Sequence, residues 1–189
     1  VPDGSPPPPH VDPTPEQGGV DPDGVDVPMN LEPGQVRVGI VREGAGGFFG
    51  VEATCKAGDF VLANSHARYC VEGPTTTTHL YFDGGRLIDA MPAGATAGDR
   101  LHVVSTFASV QTGSAREVRV LRDGTTDGPA VLRVTGVLEP IMYFAGAVGP
   151  GLFPIKPVDV VTEYRLGADS SVLEMVTFYT ARGQALNLS

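Results

Sequence analysis

The sequence predicts an all-β protein: an antiparallel β-sandwich, jelly-roll-like or immunoglobulin-like, preceded by an extended Pro-rich N-terminal segment. A closed barrel is the other all-β solution. Three observations point there. Apolar and polar residues alternate at period two along most apolar stretches, which are rich in Val, Thr and Tyr. Asp-Gly and Gly-Gly pairs separate those stretches and supply the positive φ that hairpin turns require. No window of twelve residues combines a 3.6-residue period with helix caps, and 25 Gly and 17 Pro among 189 residues interrupt any long helix.

Residues 1–34 form the first unit, an acidic extended segment. Ten of the 17 prolines precede Gly34, and no Lys or Arg occurs before Arg37. Asp3, Asp12, Glu16, Asp21, Asp23, Asp26 and Glu32 therefore carry most of the net charge of -9. Pro6 to Pro9 favour polyproline II, because each ring fixes φ and removes a donor. Val20, Val25, Val27, Met29 and Leu31 alternate with polar or turn residues, as a strand added to a neighbour's sheet edge requires. They are the expected subunit-docking residues. With so few apolar groups, the segment is expected to add little to the stability of the body. Asp21, Asp23 and Asp26 flank a central Gly24 and could gather carboxylates around calcium; a solvated acidic turn is the alternative.

Residues 35–189 are read as one β domain. Candidate strands lie near 36–42, 50–54, 59–63, 67–72, 77–83, 86–90, 100–110, 116–122, 129–138, 141–145, 158–166 and 171–180. Val36, Val38 and Ile40 open this series, and Val172, Glu174, Val176, Phe178 and Thr180 close it. Thr75 to Thr78 suit the start of a strand, with an O-glycosylated loop as the other reading. Gly149 to Pro157 is an irregular connection, since its three prolines exclude a central strand.

Cys55 and Cys70 are the two cysteines, and they are expected to form one disulfide joining strands near 50–55 and 67–72. Two buried free thiols are the alternative. A bridge implies an oxidising compartment, so the chain is expected to be secreted, extracellular or at a cell surface, with any leader removed before Val1.

The residues exclude more functions than they suggest. The acidic balance argues against nucleic acid as partner, and no run approaches a membrane span. Asp59, Ser65 and His66 are the types of a hydrolase triad, but the nucleophile-elbow pattern is missing. Gly44 to Gly50 is glycine-rich yet lacks a phosphate-binding Lys, and reads as a loop carrying Phe48 and Phe49. His10, His66, His79 and His102 read as ordinary polar residues rather than a metal set. The expected function is therefore non-enzymatic: an extracellular structural or assembly subunit whose N-terminal segment docks onto a neighbouring copy in a filament or other homopolymer. The competing expectation is a secreted monomeric ligand-binding module or small enzyme, with the segment as a tether. No cofactor is expected beyond calcium.

Overall fold

The computed structural model describes residues 11–74, 84–97, 101–108, 111–140 and 158–182. Those residues are all-β and build two antiparallel sheets. The first sheet holds β1 (Val36–Ile40), β2 (Phe60–Asn64), β3 (Ala67–Val71) and β4 (Leu87–Pro92) in sequential order. The second holds β5 (Phe107–Ala108), β6 (Gln111–Arg122), β7 (Ala130–Pro140), β8 (Val158–Leu166) and β9 (Leu173–Ala181), again in sequential order. Each described sheet is thus a meander of consecutive strands, whereas a Greek key sets non-consecutive strands side by side. No described helix is long and apolar enough to cross a membrane.

The period-two pattern decides which side chains meet between the sheets. Val36 and Val38 of β1, Phe60 and Leu62 of β2 and Val71 of β3 pack against Val118 and Val120, Leu132 and Val134, and Tyr164 and Leu166 of the second sheet. Full burial of each such side chain contributes about 1.5–3 kcal/mol. Tyr164 is buried in this layer, and its hydroxyl donates to the Gly85 carbonyl at 2.9 Å, so its polar tip is satisfied. Burial pushes its pKa well above the ordinary tyrosine value.

β2 departs from alternation because both of its faces are covered. Phe60 and Leu62 face the inter-sheet layer, while Val61 and Ala63 join a second cluster on the opposite side of the first sheet. Val41, Phe48, Cys55, Cys70, Ile88 and Met91 complete that cluster. A strand buried on both faces reads as a continuous apolar run, here Phe-Val-Leu-Ala. The first sheet also buries a Glu72–Arg86 ion pair, with Arg86 Nε and Nη2 donating to Glu72 Oε2 at 2.9 and 2.7 Å.

Several expected strands change. Residues 50–54 are irregular, with Val51 at the surface. The N–H groups of Thr54 and Cys55 donate to the buried Asp89 carboxylate instead of to a ladder. Within 100–110 the described strand is only Phe107–Ala108, with one bridge from Val104 to Leu87. The strand expected at 116–122 starts earlier, at Gln111. The expected strands at 77–83 and 141–145, the Thr75–Thr78 run and the Gly149–Pro157 connection lie outside the described residues.

Cys55 and Cys70 are disulfide-bonded, with Cα atoms 6.1 Å apart. The bridge ties the 41–59 loop to β3 rather than joining two strands. It should contribute about 3 kcal/mol in the chain-entropy model. Two measurements check this. Thiol titration of the denatured, unreduced chain should find no free thiol, and urea denaturation of the Cys55→Ala/Cys70→Ala variant should show a loss of that size.

Candidate functional site

Residues 11–34 lie along their own body as a strap. It meets the body at three successive places, through more hydrogen bonds than its apolar content alone suggests.

The first place is the outer face of the second sheet. Arg119 on β6 and Arg133 on β7 are register partners, Arg133 opposes Glu163 on β8, and Arg165 follows two residues along. The Glu163 side chain has no exposed surface. Arg133 Nε and Nη2 donate to its Oε1 at 3.0 and 2.6 Å, and Arg165 Nε and Nη2 donate to its Oε2 at 3.1 and 2.8 Å. The strap adds two donors: the Thr14 hydroxyl at 2.6 Å and the Thr14 N–H at 3.0 Å. Pro13 and Pro15 flank Thr14 and have no N–H, so the single amide donor of that tripeptide is the one used. Arg133 Nη2 donates in return to the Thr14 carbonyl, Arg165 to the Asp12 carbonyl, and Arg119 to Glu16 Oε1 at 3.2 Å. Burial pushes the Glu163 pKa up, but the hydrogen bonds from Thr14, Arg133 and Arg165 outweigh it and hold the carboxyl below its ordinary value.

The second place is the seam between the sheets. Val20 packs against the inter-sheet core. Pro22 accepts from Val120 N–H of β6 at 2.8 Å, and Asp23 accepts from Ile40 N–H of β1 at 2.8 Å. Val25 N–H donates to the Val38 carbonyl at 3.1 Å. The strap therefore bonds to the β1 edge of the first sheet and to the stretch of β6 that the two-residue β5 leaves unpaired in the second. The approach at Gly24 and Gly39 is backbone on backbone: a Cβ on Gly39 would lie 1.9 Å from the Val25 carbonyl oxygen, and Gly24 has φ of 73°. Gly39→Ala should push the strap off β1 and lower the melting temperature by several degrees, measured by circular dichroism.

At the third place, Val27 and Leu31 pack against the outer cluster of the first sheet. The buried Arg68 on β3 donates to the carbonyls of Pro28 at 2.7 Å and Gly46 at 2.9 Å, clasping the strap and the 41–59 loop together. Burial lowers its pKa. A turn follows, with Gln35 N–H donating to the Glu32 carbonyl at 3.0 Å. Of the expected docking residues, Val20, Val27 and Leu31 touch apolar clusters of their own chain, Val25 docks through its backbone, and Met29 is 42% exposed.

The three strap carboxylates are not gathered. Asp21 Oδ1 accepts from Asp23 N–H at 3.0 Å in a local turn, and Asp26 faces Arg42 at 3.8 Å with both side chains exposed. Among the described residues, the metal-ligating group within 4.8 Å is Cys55, Asp59 and Cys70, whose sulfurs are consumed by the disulfide. Asp59 and His66 flank opposite ends of β2, with Asp59 accepting from the N–H groups of Lys56 and Gly73. His102 pairs with Glu52 at 3.2 Å on the surface, while His10 and His79 lie outside the described residues.

Thr14, Arg119, Arg133, Glu163 and Arg165 were missed by reading the sequence for catalytic and metal sets. Their signal was charge complementarity. Arginines alternate with core valines on predicted strands, and the acidic leader has no cation of its own.

The described fold and site define a two-sheet β-protein strapped across its own sheet edges by an acidic N-terminal segment. The chain matches no protein-family model, no curated protein and no solved structure.

Proposed function

We propose that this chain is an extracellular structural subunit that assembles by exchanging its strap between neighbouring bodies. One observation carries the reading. The strap is held by a donor-acceptor set and apolar contacts that a neighbouring copy would reproduce in full, and it joins its own body through a single turn at Glu32–Gln35. Opening that turn removes only the Gln35 N–H and Glu32 N–H bonds. Every other strap contact reforms in trans, so closed and exchanged forms differ little in contact energy and their balance follows concentration. The disulfide is compatible with an oxidising compartment.

The docked strap equally suits a self-contained secreted module, and one experiment separates the two. Glu16 and Arg119 lie on strap and body, 3.2 Å apart through their side chains, and both are partly exposed. Carrying Glu16→Cys and Arg119→Cys, the full chain is treated with a short bis-maleimide across a concentration series. Exchange gives a covalent ladder on a denaturing gel that grows with concentration. Cross-linked monomer alone at every concentration would sink the reading and leave the self-contained module.

A further inference from the structure

We infer that β9 is a second self-interface, pairing antiparallel with β9 of a second copy about a two-fold axis at Phe178. This contact is separate from strap exchange and does not require it.

Among the described residues, β9 is the terminal strand of its sheet, bonded to β8 on one side with no strand on the other. The edge of β1 is bonded by the strap, and β4 is bridged at Leu87 by Val104. β9 spans nine residues, Leu-Glu-Met-Val-Thr-Phe-Tyr-Thr-Ala, with no Pro or Gly and a single charge. Val172 beside it is 70% exposed and Met175 within it is 40% exposed. Such an edge presents a row of backbone groups ready to pair, and natural edges of this length are normally blunted or covered.

The pleat restricts how two copies can meet. Opposed residues must project to the same face, so their numbers must sum to an even value. Within that set, charge selects the register. A two-fold axis at Phe178 sets Glu174 opposite Arg182 of the second copy. Glu174 already lies 3.6 Å from Arg165 of β8, and Arg182 donates from Nε to Asp159 of β8 at 2.8 Å. All four belong to the outer face, as the β8–β9 register requires. The paired sheets then carry an alternating row across four strands, Arg165, Glu174, then Arg182 and Asp159 of the second copy, and the two-fold axis repeats it. Directly opposed unlike charges stabilise a sheet pair and like charges destabilise it. An axis at Thr177 instead sets Glu174 against Thr180 and leaves this row unformed.

The test uses the full chain with one added cysteine, since Cys55 and Cys70 are already bridged. At Phe178 the two opposed Cα atoms would lie about 4.5–5.5 Å apart, within disulfide reach. Phe178→Cys is oxidised with glutathione disulfide; two thiols become one disulfide, and their two electrons and two protons leave as two reduced glutathiones. The expected product has twice the 19.7 kDa chain mass. Thr177→Cys, displaced diagonally from its own copy, should stay single under the same treatment. Phe178→Lys sets two cations together on the axis and should lower the mass read by light scattering while the β spectrum is kept. Covalent dimer from Thr177→Cys, no dimer from Phe178→Cys, or an unchanged mass for Phe178→Lys would each overturn the interface. The two cysteine variants are read on a denaturing gel, where strap exchange leaves no covalent trace, so the cross-links test β9 separately from the strap.

Discussion

Glu163→Gln should lower stability by about 2–3 kcal/mol, which for a domain of this size is about 5–10 °C in melting temperature. Removing one partner of a fully buried ion pair costs about 3–5 kcal/mol. The lower figure applies here because Arg133 and Arg165 keep 15% side-chain exposure and can regain water. The variant amide also loses acceptor capacity: one oxygen replaces two that together receive Thr14, Arg133 and Arg165. The same node makes the parent acid-sensitive. The folded pKa of Glu163 lies below its ordinary value of 4.5. Its stabilisation is therefore complete above that value and is lost as pH falls through the folded value. Melting curves followed downward from about pH 6 should show the gap between parent and variant narrowing once pH falls through the folded value. A gap that stays constant to the acid end would show that Glu163 does not titrate in this window.

The fold class was legible because its signal is local. Val36 and Val38 on β1, and Ala130, Leu132 and Val134 on β7, repeat at the period that a sheet with one buried face imposes. The disulfide was legible because two cysteines allow one pairing. What failed was whatever depended on distant partners. Residues 50–54 look like a strand by composition, yet Asp89, more than thirty residues on, takes the N–H groups of Thr54 and Cys55. Glu163 and Arg165 look like ordinary outward-facing charges on an alternating strand. Thr14, 149 residues earlier, makes Glu163 a buried anchor. Period-two reading assigns a residue to a face, but it cannot say that a later or earlier segment will cover that face.

A chain beginning at Gln35 should be destabilised by a few kcal/mol, on the order of 10 °C in melting temperature. The estimate is a difference between two larger quantities. Lost on truncation are the partly buried contacts of Val20, Val27 and Leu31, the bonds from Val120 and Ile40 to the strap, and both Thr14 donors to Glu163. Regained is the conformational freedom of the strap. That gain is limited at Pro13, Pro15, Pro22, Pro28 and Pro33, whose φ is fixed in the free chain as well. Truncation also bares the outer cluster around Val41 and Val61, so dye binding to apolar surface should rise. A peptide of residues 11–34 supplied in trans should raise the melting temperature with the logarithm of its concentration, a stabilisation of about 2.7 kcal/mol at a hundred times its dissociation constant. Rescue by the peptide would show that the docking surface is complete on the body and open to a strap from another chain. A truncated chain that melts with the parent and binds no dye would mean that the body is stable without the strap.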